Sequence, residues 1–283
     1  MDVLITSSSR PILIPYLLNS FKRFVGSQCH CKLRYLLHED FVFPESSNDV
    51  IKWAVNSGVF DVIEKHNPAI GLGLSITHML NFIKSKYIVY LQDDFEFVRT
   101  GIDLDRIFWT MDRHPEINLI LFPQYNNKKA VKHFLSRETE FDGCLFTLYD
   151  SWSFNPGVWR MNWFKSYWKA FKEYPENNFN KYLRISSYNT GFYFLGGFNE
   201  YNFVKHIGCT WRVANWRLIN DDYGGDIDFE VCKIKNKKID RAPWLPPYPK
   251  RPVYFKNKRK PNLSKLNKQE KEEFYNMTGI CHK

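Results

Sequence analysis

Two adjacent carboxylates follow a short apolar run in the first third of the chain. The run Ile88–Leu91 is followed by Gln92, Asp93 and Asp94, with Glu96 two residues further on. Carboxylates in such a place suit a hard divalent cation, Mg²⁺ or Mn²⁺, which prefers oxygen ligands and keeps coordination positions open for phosphate. A solvated strand end is the simpler interpretation of an isolated Asp-Asp pair, so the surrounding elements decide between the two.

The first two predicted strands also end in polar residues. Asp2–Thr6 runs into the polar segment Thr6–Arg10, and Lys32–Leu37 runs into His38–Asp40. In open sheets of parallel strands, ligands collect at the carboxyl ends of the strands. Three strand ends with polar residues, counting Asp93 and Asp94, therefore predict one ligand site along one edge of a sheet.

The apolar spacing alternates between the strand period and the helix period along the chain. This order predicts an α/β fold with a central, mostly parallel sheet flanked by helices. The predicted helices are Ile12–Phe24, Asp49–Ser57, Leu74–Ser85, Leu104–Arg113 and an aromatic helix, Trp159–Tyr174, after a turn at Ser153–Gly157. The remaining predicted strands are Val59–Ile63, Tyr87–Leu91, Leu119–Phe122 and Gly191–Leu195.

All of the positive charge excess lies in the last fifth of the chain. Residues 231–283 contain fifteen Lys and Arg residues and four Asp and Glu residues, a net charge of +11, whereas residues 1–230 carry −1. Six prolines lie among these charges, which favours an extended segment over a second core. We predict one α/β domain over 1–230, with halves at 1–100 and 101–230, and a basic extended arm over 231–283.

The sequence shows no membrane or secretion signal. No stretch approaches the ~18 apolar residues that a membrane span needs. The N-terminus, MDVLITSSSR, lacks the layout of a signal peptide, so we expect a cytoplasmic protein with reduced thiols. Cys29-His30-Cys31 invites a metal interpretation, but no second pair stands at zinc spacing, so structural or free thiols are favoured. The six cysteines are Cys29, Cys31, Cys144, Cys209, Cys232 and Cys281.

Three segments resemble the nucleotide-sugar-dependent glycosyltransferases of the GT-A fold, close to the large family 2. Residues 3–21, VLITSSSRPILIPYLLNSF, resemble the family's first strand, loop and helix. Residues 66–94, HNPAIGLGLSITHMLNFIKSKYIVYLQDD, resemble its stretch from the nucleotide-contacting loop to the metal-binding acidic motif. Residues 153–160, SFNPGVWR, resemble a turn before an acceptor-side helix. The resemblance covers roughly residues 2–210 and implies a GT-A fold, with nucleotide-sugar binding in residues 1–100 and acceptor binding in 101–230.

The resemblance implies a nucleotide pocket lined by several loops. Asp93 would lie by the ribose, and Glu39 would contact the base or ribose. Gly71 and Gly73 would let the backbone approach the nucleotide, while Arg212 would face a phosphate. The pocket residues contributed by the first loop would be Thr6, Ser7 and Arg10.

The resemblance also implies a Mn²⁺ or Mg²⁺ ion that bridges the diphosphate of the donor, with a UDP-sugar as the favoured donor. Asp94 is the expected ligand and His206 an additional one. The usual D-x-D spacing is replaced by Gln92-Asp93-Asp94, and Glu96 is an alternative ligand because residues two apart on a strand share a face.

Inverting transfer requires a general base beside the acceptor hydroxyl. Glu176 precedes the segment where the family usually places its base, and it is our expected base. Asp150 is the alternative. Alternatively, Glu176 has no catalytic role and is a solvent-exposed residue in a Pro-Glu-Asn-Asn turn.

The basic arm points to a polyanionic partner. DNA contacted through residues 233–271 would fit a phage-type enzyme that glucosylates hydroxymethylated pyrimidines, and this acceptor is slightly preferred because the arm lacks an amphipathic apolar face. Peripheral contact with an anionic membrane would instead fit synthesis of a surface or lipid-linked glycan. A solvated charged tail is the structural alternative.

Two other classes of protein remain open at this point. One is a nucleic-acid-binding protein that retains the fold without catalysis. The other is a nucleotidyltransferase, which would need a triphosphate loop richer in Gly and basic residues than Thr6–Arg10.

Overall fold

The computed structural model describes residues 1–123, 135–187, 191–196 and 203–207. All of these except Ile207 belong to one compact unit, Met1–His206. The predicted boundary at 230/231, the basic arm and Arg212 lie outside the described residues. Within the described chain, no helix has both the length and the hydropathy to cross a membrane.

A large mixed sheet forms the centre of this unit. Its strands are β1 Asp2–Ser7, β2 Arg34–Asp40, β3 Phe60–His66, β4 Tyr87–Gln92, β6 Leu119–Leu121, β7 Leu135–Phe141, β8 Cys144–Tyr149, β9 Gly157–Arg160 and β10 Phe192–Leu195, and a separate two-stranded ribbon pairs β5 Phe95–Phe97 with β11 Val204–His206. The strand order is β3-β2-β1-β4-β9-β6-β10-β8-β7. Pairing is parallel from β3 to β4, and of the described strands in this sheet only β9 and β8 run against the rest.

Side chains on β1 and β4 alternate between two apolar layers, as expected of strands buried on both faces. Val3 and Val89 pack into one layer, and Leu4 and Ile88 pack into the other. The helices are α1 Leu13–Phe24, α2 Pro44–Ser57, α3 Leu72–Met79, α4 Leu104–Arg113, α5 Met161–Tyr167 and α6 Pro175–Ile185. The first layer includes buried residues of α1, α2 and α4, and the second includes those of α3, α5 and α6.

The predicted α/β class, with a mostly parallel sheet flanked by helices, is confirmed. The prediction of one aromatic helix over Trp159–Tyr174 was wrong. The chain first forms β9, where Val158 and Trp159 are fully buried between β4 and β6. Gly157 is required there, because a Cβ at this position would lie 2.5 Å from the carbonyl oxygen of Ile120.

Candidate active site

The carboxyl ends of β1, β2 and β4 lie side by side. Thr6 of β1 is in register with His38 of β2 and with Gln92 of β4, and Ser7 is in register with Glu39. The three polar strand ends that the sequence singles out therefore meet at one edge of the sheet.

Asp93 is tied to the loop that follows β1. Its carboxylate Oδ2 accepts hydrogen bonds from Ser7 Oγ at 2.8 Å, from the Ser8 backbone N–H at 3.3 Å and from Arg10 Nε at 3.0 Å. The side chain is fully buried, and burial raises its pKa to about 6, with Asp94 acting in the same direction and Arg10 against it. Asp93 thus fixes the loop conformation while remaining costly to ionise.

Asp94 lies beside two cationic or potentially cationic side chains. Its Oδ2 atom is 3.0 Å from Arg10 Nη1 and 3.1 Å from His206 Nε2. The separation of 3.1 Å is that of a hydrogen bond or an ion pair, and a carboxylate with an imidazole is also a pair of groups that can bind a divalent cation.

His206 is positioned by the two-stranded ribbon. Strand β11 pairs antiparallel with β5, and His206 is opposite Phe95, whose ring centroid is 4.8 Å from that of the imidazole. Phe95 is itself buried, so the ribbon presents the imidazole to Asp94 from a fixed support. The pairing of a residue at position 206 with one at position 95 could not be inferred from local spacing.

Glu96 has a different environment from Asp94. The chain turns at Asp93 and Asp94, so Asp94 and Glu96 do not occupy one face of a continuous strand. Glu96 lies on β5 opposite Lys205. Burial raises the pKa of Tyr16 on α1, and the charge of Glu96 adds to this effect.

Glu39 is fully buried and holds the same loop from the opposite side. Its Oε1 atom accepts hydrogen bonds from the Ser9 backbone N–H at 2.7 Å and from Ser47 Oγ at 2.6 Å. Burial raises the pKa of Glu39 to about 7, against the effect of these hydrogen bonds. Ser9 has a φ of +54°, a conformation that few residues other than Gly adopt, so Glu39 stabilises a strained turn.

Asp40 positions the glycine-containing segment before α3. Its two carboxylate oxygens accept the backbone N–H groups of Ile70 at 2.7 Å and Gly71 at 2.8 Å. Gly71 has a φ of +81°. A Cβ at Gly73 would lie 1.7 Å from the carbonyl oxygen of Phe171, so this glycine permits close packing of α3 against that segment. The sequence did not single out Asp40 for this task.

Tyr90 is fully buried on β4, next to the carboxyl end of the strand. Its phenol oxygen is 2.9 Å from Thr6 Oγ1. Burial raises the pKa of Tyr90, and the charges of Asp94 and Glu176 act in the same direction, whereas the hydrogen bonds with Thr6 and Gln92 act against it.

Glu176 lies in the first turn of α6, not in an isolated turn. Its Oε2 atom accepts a hydrogen bond from the Phe154 backbone N–H at 3.3 Å, and burial raises the pKa of the carboxyl group. It lines a cavity of about 470 Å³ together with Tyr149, Ser151, Asn177, Asn180, Lys181, Arg184 and Ile185. Asp150, by contrast, is exposed and accepts a hydrogen bond from Ser151 Oγ at 3.1 Å.

The contact between three imidazoles near this edge was not anticipated from the sequence. His38 Nε2 is 2.8 Å from His66 Nδ1, and the ring of His78 lies 4.5 Å from that of His66. Burial and the two neighbouring imidazoles lower the pKa of His38 to about 3, so it is uncharged at neutral pH. The spacing of these three residues follows neither strand nor helix periodicity, because they come from β2, β3 and α3.

Comparisons with protein-family models and with curated proteins give no match. Among solved structures, the chain is similar to Staphylococcus aureus TarS, with 11% identity and a TM-score of 0.49 over 98% of this chain and 48% of that one. It is also similar to TarS 1–349 in complex with UDP-GlcNAc, with 11% identity and a TM-score of 0.48 over 98% of this chain and 79% of that one. The similarity to the Pyrobaculum calidifontis mannosyltransferase PcManGT, in complex with GDP-Man and Mn²⁺, has 9% identity and a TM-score of 0.49 over 76% of this chain and 60% of that one.

The match to TarS includes 98% of this chain but only about half of the TarS chain. Similarities with TM-scores below 0.5 carry no conclusion about what this chain does. The assignment of an activity to this chain therefore depends on its own side chains.

Proposed function

We propose that the chain is a metal-dependent glycosyltransferase of the GT-A type, which moves a sugar from a nucleotide diphosphate sugar to a hydroxyl acceptor. The observation that carries the proposal is the approach of His206 Nε2 and Asp94 Oδ2 to 3.1 Å at the carboxyl edge of β1 and β4. That edge is where parallel sheets bind nucleotides, and a carboxylate with an imidazole is a suitable ligand pair for Mn²⁺.

Asp94 and His206 would hold a Mn²⁺ or Mg²⁺ ion, which, when bound, neutralises the charge that develops on the leaving diphosphate. Arg10 supplies a second positive group at the same place, since its Nη1 atom lies 3.0 Å from Asp94 Oδ2. A guanidinium is a suitable partner for phosphate oxygens. A UDP-sugar is the favoured donor, and Glu96 is the alternative metal ligand.

The remaining residues on the donor side hold the loops of the proposed pocket in place. The resemblance implies that Asp93 lies by the ribose and that Glu39 contacts the base or ribose, but both side chains are fully buried, so we assign them instead the task of holding the Ser7–Arg10 loop. Asp40 and Gly71 fix the entry to α3. The nucleotide would then contact Thr6, Ser7 and the edge of this loop, with Arg212 as a further phosphate ligand.

Glu176 is the proposed general base. In an inverting transfer the acceptor oxygen forms a bond to the anomeric carbon, the bond from that carbon to the diphosphate breaks, and the acceptor proton passes to the carboxylate. The pKa of Glu176 is raised by burial, which brings it closer to the operating pH and makes the carboxylate a better proton acceptor. The lining of its cavity includes Lys181 and Arg184, which would favour an acceptor with negative charge nearby.

Thermal-shift measurements with UDP and GDP, each with and without Mn²⁺, test the donor site. We expect at least one nucleotide to raise the melting temperature only when Mn²⁺ is present. Asp94→Asn should remove this shift, while Asp49→Asn, at an exposed position on α2, should retain it. If no nucleotide diphosphate gives a Mn²⁺-dependent shift, the proposed function is wrong.

Glu176→Gln tests the base separately. We expect it to lower the rate of transfer by roughly 100-fold or more and to leave the Mn²⁺-dependent binding of nucleotide unchanged. Asp150→Asn is the matched control at an exposed carboxylate. Loss of transfer in Asp150→Asn with retention in Glu176→Gln would reverse the assignment.

For the acceptor we propose hydroxymethylpyrimidine in DNA, with a surface or lipid-linked glycan as the alternative. The support is the net charge of +11 in residues 231–283, which favours a polyanion. Radiolabelled sugar transfer to unmodified DNA, to hydroxymethylated DNA and to simple glycans compares the two. Salt-dependent binding of DNA without any sugar transfer would instead favour a nucleic-acid-binding protein without catalysis.

A further inference from the structure

A second cluster of metal-ligating atoms lies before β2, where the sequence contains Cys29-His30-Cys31. Cys29 has extended backbone angles, φ −80° and ψ 128°. In an extended segment, side chains two residues apart lie on the same side. The two sulfur atoms are accordingly in contact, at 2.6 Å, and both cysteines are free thiols.

Asp105 joins these two thiols from a distant part of the sequence. It lies in the first turn of α4, and its Oδ1 atom is 3.4 Å from Cys29 Sγ. Its Oδ2 atom accepts the backbone N–H of His30 at 2.8 Å and lies 2.8 Å from His30 Nδ1. The ligand atoms of Cys29, Cys31 and Asp105 all lie within 4.8 Å of one another, and no other group of three such residues is this close within the described ranges.

All three groups are acidic, and they are partly withdrawn from water. A cation that binds here would displace the thiol protons, because metals bind cysteine as the thiolate. Two sulfurs with one carboxylate form a soft donor set, which suits Zn²⁺ and differs from the oxygen and imidazole ligands at Asp94 and His206.

We propose that Cys29, Cys31 and Asp105 bind a soft divalent cation of the zinc class. His30 orients the Asp105 carboxylate by donating its backbone N–H, as residues outside the ligand shell do in other metal sites. Metal–sulfur bonds of about 2.3 Å in a tetrahedral site require the sulfurs to be further apart than 2.6 Å, and rotation about the Cα–Cβ bond of either cysteine separates them.

The proposed ion links two segments that are distant in sequence. Cys29 and Asp105 are 76 positions apart, and the ion would join the segment between α1 and β2 to the start of α4. An ion that binds only the folded chain would stabilise it, by an amount that grows with the logarithm of the metal concentration once this exceeds the dissociation constant. The role is structural and is independent of the proposed transferase activity.

Titration of the reduced, metal-free full chain with Co²⁺ tests the proposal. We expect a sulfur-to-cobalt charge-transfer band in the near ultraviolet that corresponds to one sulfur-bound Co²⁺ per chain, and displacement of the band by Zn²⁺; Co²⁺ at Asp94 and His206 would not contribute to this band. The double substitution Cys29→Ser, Cys31→Ser should abolish the band, and Asp105→Asn should weaken Co²⁺ binding at least about 10-fold. Cys144→Ser and Asp94→Asn are the matched controls and should keep the band.

Three results would overturn the proposal. The first is a thiolate band that persists in the double cysteine variant, which would place the metal on other cysteines. The second is the absence of a band while alkylation and mass spectrometry show Cys29 and Cys31 to be reduced. The third is a disulfide between Cys29 and Cys31 that re-forms when reductant is removed, even with Zn²⁺ present in excess.

Discussion

Two buried carboxylates at opposite ends of β1 and β4 differ in how the protein supports their charge. Asp2, at the amino end of β1, accepts hydrogen bonds from the backbone N–H groups of Lys84 and Ser85 and from Arg34 Nε at 2.6 Å. Burial opposes its ionisation, but these hydrogen bonds outweigh burial and hold the pKa of Asp2 below its ordinary value. The amino end thus stabilises a fixed negative charge.

The carboxyl end of the same strands does the opposite. Asp93 is also buried and contacts Arg10, but burial and the neighbouring Asp94 raise its pKa to about 6. Glu39, one strand away, has a pKa raised to about 7 by burial. At the amino end, hydrogen bonds thus stabilise the ionised carboxylate, whereas at the carboxyl end burial makes ionisation of Asp93 and Glu39 unfavourable.

The largest effect is expected from Asp94→Asn, which removes the charge that a metal would bind. We expect Mn²⁺-dependent sugar transfer to fall by roughly 100- to 1000-fold, because stabilisation of the leaving diphosphate is lost. Initial rates across a series of Mn²⁺ concentrations measure this. Recovery of full activity at high Mn²⁺ would show that Asp94 only strengthens metal binding.

Arg10→Gln should be the most destabilising change at this edge. It leaves Asp93 and Asp94 buried without their guanidinium partner, and loss of one member of a buried ion pair costs about 3–5 kcal/mol. The loss should be larger at pH 8 than at pH 5, where Asp93 can bind a proton. Urea unfolding at both pH values measures this, and an equal loss at both would contradict the account given for Asp93.

Glu39→Gln should remove the free-energy cost of ionising a buried carboxyl group. The folded-state pKa of Glu39, about 7, lies above the ordinary glutamate value of 4.5, so the folded chain binds more protons than the unfolded chain between these values. Wild-type stability should therefore fall as the pH rises through this window. The Gln variant should lose this slope and be more stable than wild type at pH 8, by up to about 3 kcal/mol.

Urea unfolding from pH 4 to pH 8 measures the slope in both proteins. Glu45→Gln, at an exposed position on α2, is the control and should keep the wild-type slope. A Glu39→Gln variant that is less stable than wild type throughout would mean that its hydrogen bonds to Ser9 and Ser47 depend on the charge.

Asp2→Asn should give the smallest effect and the opposite pH dependence. The pKa of Asp2 is lowered in the folded chain, so its contribution is present above pH 3.8 and is lost as the pH falls through the folded-state value. We expect a loss of about 2 kcal/mol at pH 7 and little difference from wild type near pH 2. Chemical unfolding at the two pH values measures it, and a difference that grows on acidification would contradict the comparison of Asp2 with Asp93.

The carboxyl edge could be predicted from the sequence because strand order and polar strand ends are local patterns. Asp2–Ser7, Arg34–Asp40 and Tyr87–Gln92 each combine an apolar run with a polar end, and parallel pairing brings those ends together. Glu39 belongs to one of these polar strand ends, whereas Gly73 was singled out by the resemblance. Their surroundings, the Ser9 turn and the Phe171 carbonyl, depend on packing between distant segments and were not predictable.

The acceptor side was predicted less well, because long-range pairing overrides local preference there. In the sequence, Trp159 is the first of a series of aromatic residues that was predicted to form one helix. In the structure it lies on β9, buried between β4 and β6. Helix α6 begins at Pro175 after Tyr174, a residue with a φ of +43°, and is anchored by Phe179 and Leu183. A turn was the alternative interpretation of this segment, because Pro-Glu-Asn-Asn forms only the start of the helix.

The ribbon that carries His206 has a consequence for the order in which the protein matures. Asp94 and His206 are separated by 112 positions, and β11 cannot pair with β5 until both have left the ribosome. A nascent chain that has just completed β4 and β5 already contains Asp94 but lacks the imidazole. Affinity for the proposed active-site metal would therefore arise late in synthesis, after the sheet that supports it, so metal capture would report a chain that has been translated at least to residue 206.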